Sequence, residues 1–257
     1  MSGHGAVVTA LLAFRLTGLI WIAPVYSSRG VPSPVKASLI VLLAAVMWPA
    51  AMASAPTAVR IAAPGVLSEL LVGLTLGMGA AVFVAAAESA GDMLAVQMGL
   101  SGANVLDPMS RTQLPVLGHF LGLFVTTLIL ASGGHLVILR ALEASLESIP
   151  VGVPIDFTAG SFALARLGGT LLWLGLKFAA PVVAAMMIGN ATLGILSRTV
   201  PQLNVLVVAF PLQIGIGLFV LAATLPYLAA AFTDWGGQYR ALSFGVLEHF
   251  VPGLGGS

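Results

Sequence analysis

Residues Gly65–Leu100 read GVLSELLVGLTLGMGAAVFVAAAESAGDMLAVQMGL. The run is apolar almost throughout. A bilayer's hydrocarbon core is about 30 Å thick, and about 20 apolar residues cross it as a helix. About 35 helical residues reach roughly 50 Å at 1.5 Å per residue. The segment is therefore expected to be tilted, kinked or folded into a hairpin. Gly73, Gly77 and Gly79 supply flexible or close-packing points within it.

The rest of the chain has the same character. Of 257 residues, 59% are apolar and 7% are charged, and mean hydropathy is +1.07. A soluble domain carries about 25% charged residues, so this chain lacks the charges to cover a wetted surface. A soluble enzyme, a disordered tail and a nucleic-acid binder are excluded. A net charge of +1 offers no electrostatic grip on phosphate or an acidic polymer. Cysteine is absent, which removes disulfides, thiol nucleophiles and Cys-ligated zinc. The N-terminus is not expected to be a secretory signal, because no Lys or Arg precedes the first apolar run and Arg15 falls inside it. Ser2 excludes N-myristoylation.

Six apolar segments are expected. They run from about Gly5 to Ala23, Lys36 to Ser54, Gly65 to Leu100, Pro115 to Leu139, Arg166 to Leu196 and Leu203 to Phe232. The fifth is also overlong, and Pro181 offers it a kink. Turn-rich connections separate the segments, such as Ser27 to Pro34 and Pro150 to Thr158. Residues 238–250 read as a short amphipathic helix, at the interface or packed on a neighbour. The expected fold is an all-α, polytopic helical membrane protein, with some segments folded as kinked hairpins and one domain over residues 1–257. Arg29, Lys36, Arg60, Arg111, Arg140, Arg166, Arg198 and Arg240 gather in no one set of loops, so the charge rule for orientation is flat.

Three small-xxx-small pairs, Gly73/Gly77, Gly118/Gly122 and Asn190/Gly194, allow close backbone approach. Four ionisable residues interrupt apolar runs: Arg15, Glu88, Asp92 and Lys177. Glu88 and Asp92 lie four apart on one helix face, where two carboxylates repel unless solvated or paired. They form either a proton or cation relay or a pair at a helix end or wet cavity. Arg15 and Lys177 either pair with them or snorkel to an interface. His119 and His135 fall in one expected helix, 16 residues and so roughly 24 Å apart, and cannot share a metal. No H-E-x-x-H, G-x-S-x-G or Walker A pattern occurs, and no cofactor is expected.

The loop Gln97 to Pro115 mixes Gly, Asn, Asp and Pro with Leu, Val and Met. Irregular backbone between apolar helices is tolerated where protein buries it or where it lines water. A loop of this length is often functional.

From this loop outward the chain resembles the FliR family of flagellar export-gate proteins and its virulence-secretion counterpart, SctT. The resemblance rests on several ordered blocks. They are Glu88 to Gly91, Gln97 to Leu100, Asp107-Pro108, Leu114 to Leu117, Gly133 to Leu136, Ser148 to Gly152, Gly189-Asn190 through Gly194 to Val205, and Phe210-Pro211-Leu212. Ala23-Pro24 and Val31-Pro32 also fit. The resemblance implies a pore-forming and gating subunit, not an enzyme. It implies assembly with FliP- and FliQ-type subunits, near FlhB- and FlhA-type proteins, in the bacterial inner membrane at the flagellar basal body. Unfolded export substrates would pass through the assembly. A virulence-secretion gate is the alternative, then a proton-coupled transporter using Glu88, Asp92 and Lys177, and a scaffold whose loop never gates is a further rival.

The resemblance further implies that a loop projects into the lumen and plugs the closed gate. It falls on Gly99, Leu100, Ser101, Gly102, Asn104, Val105, Leu106, Asp107, Pro108, Met109 and Pro115. Glycines there would permit tight turns, Pro108 would fix a bend, and the apolar residues would seal. Family members often carry a basic residue where this chain has Gln213, and a second His where it has Leu136. The methionine seal of the complex belongs to the FliP-type subunit and is not carried onto Met186 and Met187.

Overall fold

The computed structural model describes residues 3–28, 30–57, 59–100, 116–199 and 205–250. Eight α-helices cover most of them, and no strand occurs among the described residues. They are α1 (Gly3–Ile22), α2 (Ser33–Ser54), α3 (Ala63–Gln97), α4 (Val116–Ala131), α5 (Gly134–Ser148), α6 (Phe157–Thr199), α7 (Val205–Ala231) and α8 (Trp235–Leu247), which runs into a 3₁₀ turn at Glu248–Phe250. The polytopic all-α expectation holds. Five helices are long and apolar enough to cross a membrane, or six spans if the bent pair α4–α5 counts as one.

Hydroxyl side chains within the apolar helices satisfy themselves on the preceding turn. Thr9, Thr17, Ser68, Thr75, Thr126 and Thr192 each donate to the carbonyl four residues back, at 2.7–2.9 Å. A polar group with no water to bond needs such a local partner.

One boundary expectation is narrowed and two are corrected. Of tilt, kink or hairpin for the third segment, the hairpin is ruled out, because the segment is one continuous 35-residue helix. Its glycines serve close packing rather than a fold-back. The fourth segment is two helices, bent by 69° at Ser132 and Gly133. Gly133 adopts φ +76°, left-handed backbone that favours glycine, and its carbonyl caps the new helix by accepting from Leu136 N–H at 2.9 Å. His119 and His135 therefore sit on different helices. The fifth segment begins at Phe157, nine positions early, and Pro181 lies inside it.

The chain forms two compact units. The first comprises Met1–Val82, Ile129–Gly169 and Asp234–Ser257. Its core is the apolar stripe of α1 (Leu11, Leu12, Leu16, Leu19, Ile20) packed with Val72, Leu76 and Ala80 of α3 and Ile138, Ala141 and Leu142 of α5. Close glycine approach explains the α1–α3 crossing. A Cβ at Gly73 would overlap the Arg15 carbonyl oxygen, and one at Gly18 would stand 2.5 Å from the Leu70 carbonyl oxygen. Helix α8 starts at Trp235 rather than Gln238 and docks on its own unit. Trp235 and Tyr239 are buried and stacked at 5.1 Å, and the Tyr239 hydroxyl donates to the Leu76 carbonyl at 3.2 Å. Tyr26, after α1, donates to the His135 carbonyl at 3.1 Å, and burial pushes its phenol above the ordinary value.

The second unit comprises Phe83–Leu128 and Thr170–Thr233. There α3 and α4 cross where a Cβ at Gly91 would meet the Leu117 carbonyl and Gly118 Cα at 2.5–2.6 Å. Phe232 packs between Phe83 (6.2 Å, edge-on) and Phe178 (5.8 Å). Helix α7 leaves most of its apolar surface uncovered, as does α2 in the first unit. Exposed apolar helix faces on this scale belong against lipid or partner chains.

Candidate functional site

The root of the expected gating loop lies in the second unit. Helix α3 ends at Gln97, and Met98 N–H still bonds the Leu94 carbonyl at 2.9 Å. Gly99 then turns left-handed at φ +73°, a conformation L side chains rarely adopt. Space is short there as well. A Cβ at Gly99 would stand 2.9 Å from Phe210 Cδ1 and 3.1 Å from Gln213 Oε1. The buried Met98 side chain fills the space that a Cβ at Gly217 would need. Gln213 Nε2 donates to Asn190 Oδ1 at 2.7 Å. The end of α3 thus rests on α7, and α7 is tied to α6. The contact is a neutral amide pair.

Leu100 follows and is exposed. Ser101, Gly102, Asn104, Val105, Leu106, Asp107, Pro108, Met109 and Pro115 lie outside the described residues.

Of the four ionisable candidates, Arg15 alone is buried, at 0% exposure. Its partner is Glu69, at 1%. Arg15 Nε donates to Glu69 Oε2 at 2.6 Å and Nη2 to Oε1 at 3.2 Å, a bidentate fork. The remaining guanidinium protons go to the Ser145 carbonyl (3.0 Å) and hydroxyl (3.1 Å) and the Ile149 carbonyl (2.8 Å). Gly152 N–H returns a bond to Glu69 Oε1 at 2.8 Å. The ion pair joins α1 to α3 and fastens both to the end of α5 and the following turn. Sequence reading missed this pairing. The signal was present: Glu69 is the other carboxylate in the Gly65–Leu100 run, and Arg15 is the one base in its own apolar segment.

Glu88, Asp92 and Lys177, which as ionisable residues inside apolar runs were candidates for burial, are instead exposed in the isolated chain. Glu88 and Asp92 lie along α4 at the expected small-residue pair. A Cβ at Gly118 would overlap Asp92, and one at Gly122 would meet Glu88 Cγ at 2.5 Å. The third such pair divides its roles: Asn190 bonds Gln213, while a Cβ at Gly194 would meet nothing within 4 Å. Lys177 Nζ stands 5.1 Å from the Trp173 ring centroid, a cation–π contact. Among the described residues, no cluster of His, Asp and Glu could hold a metal.

The family described as "Bacterial export proteins, family 1" matches residues 6–237, which takes in all but the first turn of the membrane-long helices. The chain belongs to the FliR family. The flagellar biosynthetic protein FliR of Escherichia coli K12 is 32% identical over 217 residues, covering 84% of this chain and 83% of that one. FliR of Bacillus subtilis 168 is 31% identical, covering 82% and 83%. FliR of Aquifex aeolicus is 27% identical, covering 95% and 94%. The FliR match extends over both units, so the ion pair of the first and the loop root of the second both lie inside it.

Proposed function

We propose that this chain is the FliR-type subunit of the flagellar protein-export apparatus. It is a helical membrane protein of that export system, and the family match over residues 6–237 carries the reading. More finely, it sits in the bacterial inner membrane and assembles with FliP- and FliQ-type subunits. Together they form the channel that passes unfolded flagellar substrates. Its work is mechanical rather than catalytic, and coupling to the proton gradient resides in partner subunits. The whole chain, residues 1–257, serves as one export-gate component.

The uncovered apolar faces of α2 and α7 support assembly, since such faces need neighbours. The buried Arg15 is neutralised by Glu69 and held by backbone carbonyls, so it adds no open ionisable site to the three residues the transporter alternative would use, Glu88, Asp92 and Lys177.

The segment from Gly99 to Pro115 acts as the plug. The packing of Met98 and Gly99 on α7 supports a fixed root from which a plug projects. Replacing residues 99–115 with a short flexible linker in the assembled complex is expected to open an ion leak, read as loss of membrane potential. A complex that stays tight after the replacement would make the loop a scaffold element.

A further inference from the structure

Two adjacent glycines, Gly168 and Gly169, lie in the interior of the 43-residue α6. Glycine is the poorest helix former short of proline, because it loses the most backbone freedom on ordering. Other helical glycines of this fold are there for close packing: Gly18, Gly73 and Gly91 each leave no room for a Cβ. At Gly168 and Gly169 a Cβ would meet nothing within 4 Å, and both residues are exposed. Neither has a positive φ. Contacts within the chain and backbone handedness therefore do not call for glycine at either position.

Their place in the chain supplies a reason. The first compact unit gives way to the second between Gly169 and Thr170. The chain passes from one unit to the other at three further points. Leu128-Ile129 lies in the last turn of α4, just before the break at Ser132 and Gly133, and Thr233-Asp234 joins α7 to α8. Among the described residues, α3 and α6 are the helices that continue well beyond the passage on both sides. In α3 the passage falls at Val82 and Phe83, both buried, and at the nearby Gly79 the Ser243 side chain occupies the space of a Cβ. In α6 it falls at the unpacked glycine pair. Helices bend sharply at prolines and at pairs of glycine or serine. Pro181, the proline of α6, lies inside the second unit and not at the passage.

We propose that Gly168-Gly169 is a flexure point of α6, at which the helix bends as substrate passes the export channel; the second half of this statement rests on the export-subunit reading given above. Alanine would fit both positions and make the stronger helix, so glycine there favours compliance over stability.

The absence of cysteine makes the test direct, because introduced thiols are the only ones present. Phe162→Cys and Leu176→Cys, exposed residues on either side of the pair, carry spin labels in the full chain in mild detergent. Electron–electron double resonance is expected to show a broad spread of label distances, which Gly168→Ala/Gly169→Ala narrows by about half as the helix stiffens. In cells the double alanine variant is expected to retain its FliP- and FliQ-type partners and to secrete flagellar substrate about five-fold less, as hinge substitutions slow the step they gate. Gly245→Ala is the control: its Cβ meets nothing within 4 Å, α8 lies wholly in the first unit, and secretion is expected to be unchanged. An equally narrow spread with glycine and with alanine would overturn the proposal whatever the chain's function. Normal secretion by the stiffened variant would overturn the part in export. Loss of the partners from that variant would assign the glycines to close packing against a neighbouring helix and overturn the proposal as well. Failure of the wild-type chain to retain partners would count against the export-subunit reading, and the label distances would still decide the flexure.

Discussion

Glu69→Ala is expected to destabilise the chain by roughly 3–5 kcal/mol, because it leaves Arg15 charged and enclosed without its counter-ion. Arg15 is wholly buried, so no water takes the place of the lost carboxylate. The loss has a second part. Gly152 N–H bonds Glu69 Oε1, so the turn after α5 loses its hold as well. Thermal unfolding in detergent, followed by circular dichroism, reads the effect. The double variant Arg15→Met/Glu69→Leu removes both charges and is expected to be clearly more stable than Glu69→Ala alone. It does not recover everything, because the Ser145 and Ile149 carbonyls lose their donor. A cost below about 1 kcal/mol for Glu69→Ala would mean that the pair does not secure the first unit.

Gly73→Ala is expected to cost about 1–3 kcal/mol, although alanine is the better helix former by about 1 kcal/mol. The added methyl would fall on the Arg15 carbonyl oxygen, with the Leu19 amide nitrogen 3.0 Å away. Both are backbone atoms and cannot rotate aside. Helix α1 must then move away from α3, which would also stretch the Arg15–Glu69 fork one turn away. Gly168→Ala is the control. A Cβ there meets nothing within 4 Å, so the same substitution is expected to be neutral or stabilising by up to about 1 kcal/mol. Equal effects at the two positions would remove close packing as the explanation.

Much of this fold was legible because lipid-compatible helices announce themselves by hydropathy. The ends of α1, α2 and α7 fall within three residues of the expected segments. What hydropathy cannot register is a change of direction within an apolar stretch. The bend at Ser132 and Gly133 is set by backbone conformation, and the run from Thr112 to Leu139 passes over it without a charge. Arg140, Glu143 and Glu147 on α5 were the available hint that the fourth segment does not continue as a span. The small-residue pairs Gly73/Gly77 and Gly118/Gly122 correctly marked helix crossings, since each places a missing Cβ against another helix.

The site was legible unevenly. The end of α3 at Gln97 was readable from composition, but the packing at the root of the expected loop was not. Met98, Gly99, Phe210, Gln213 and Gly217 are far apart in sequence and meet through helix packing alone. The same holds for Arg15 and Glu69, which are 54 positions apart. Sequence reading noted the arginine and looked for its partner at Glu88 and Asp92. Those two carboxylates lie on the part of α3 that belongs to the second unit, whereas Glu69 lies in the first unit with Arg15.

The proposed role is that of one subunit of a multi-protein export gate. The most direct test is to tag it, co-express it with the FliP- and FliQ-type proteins of its own organism, extract in mild detergent, and weigh the particle by native mass spectrometry. A single defined complex that contains all three proteins is the predicted result. A stable particle of this chain alone, with neither partner retained, would contradict it.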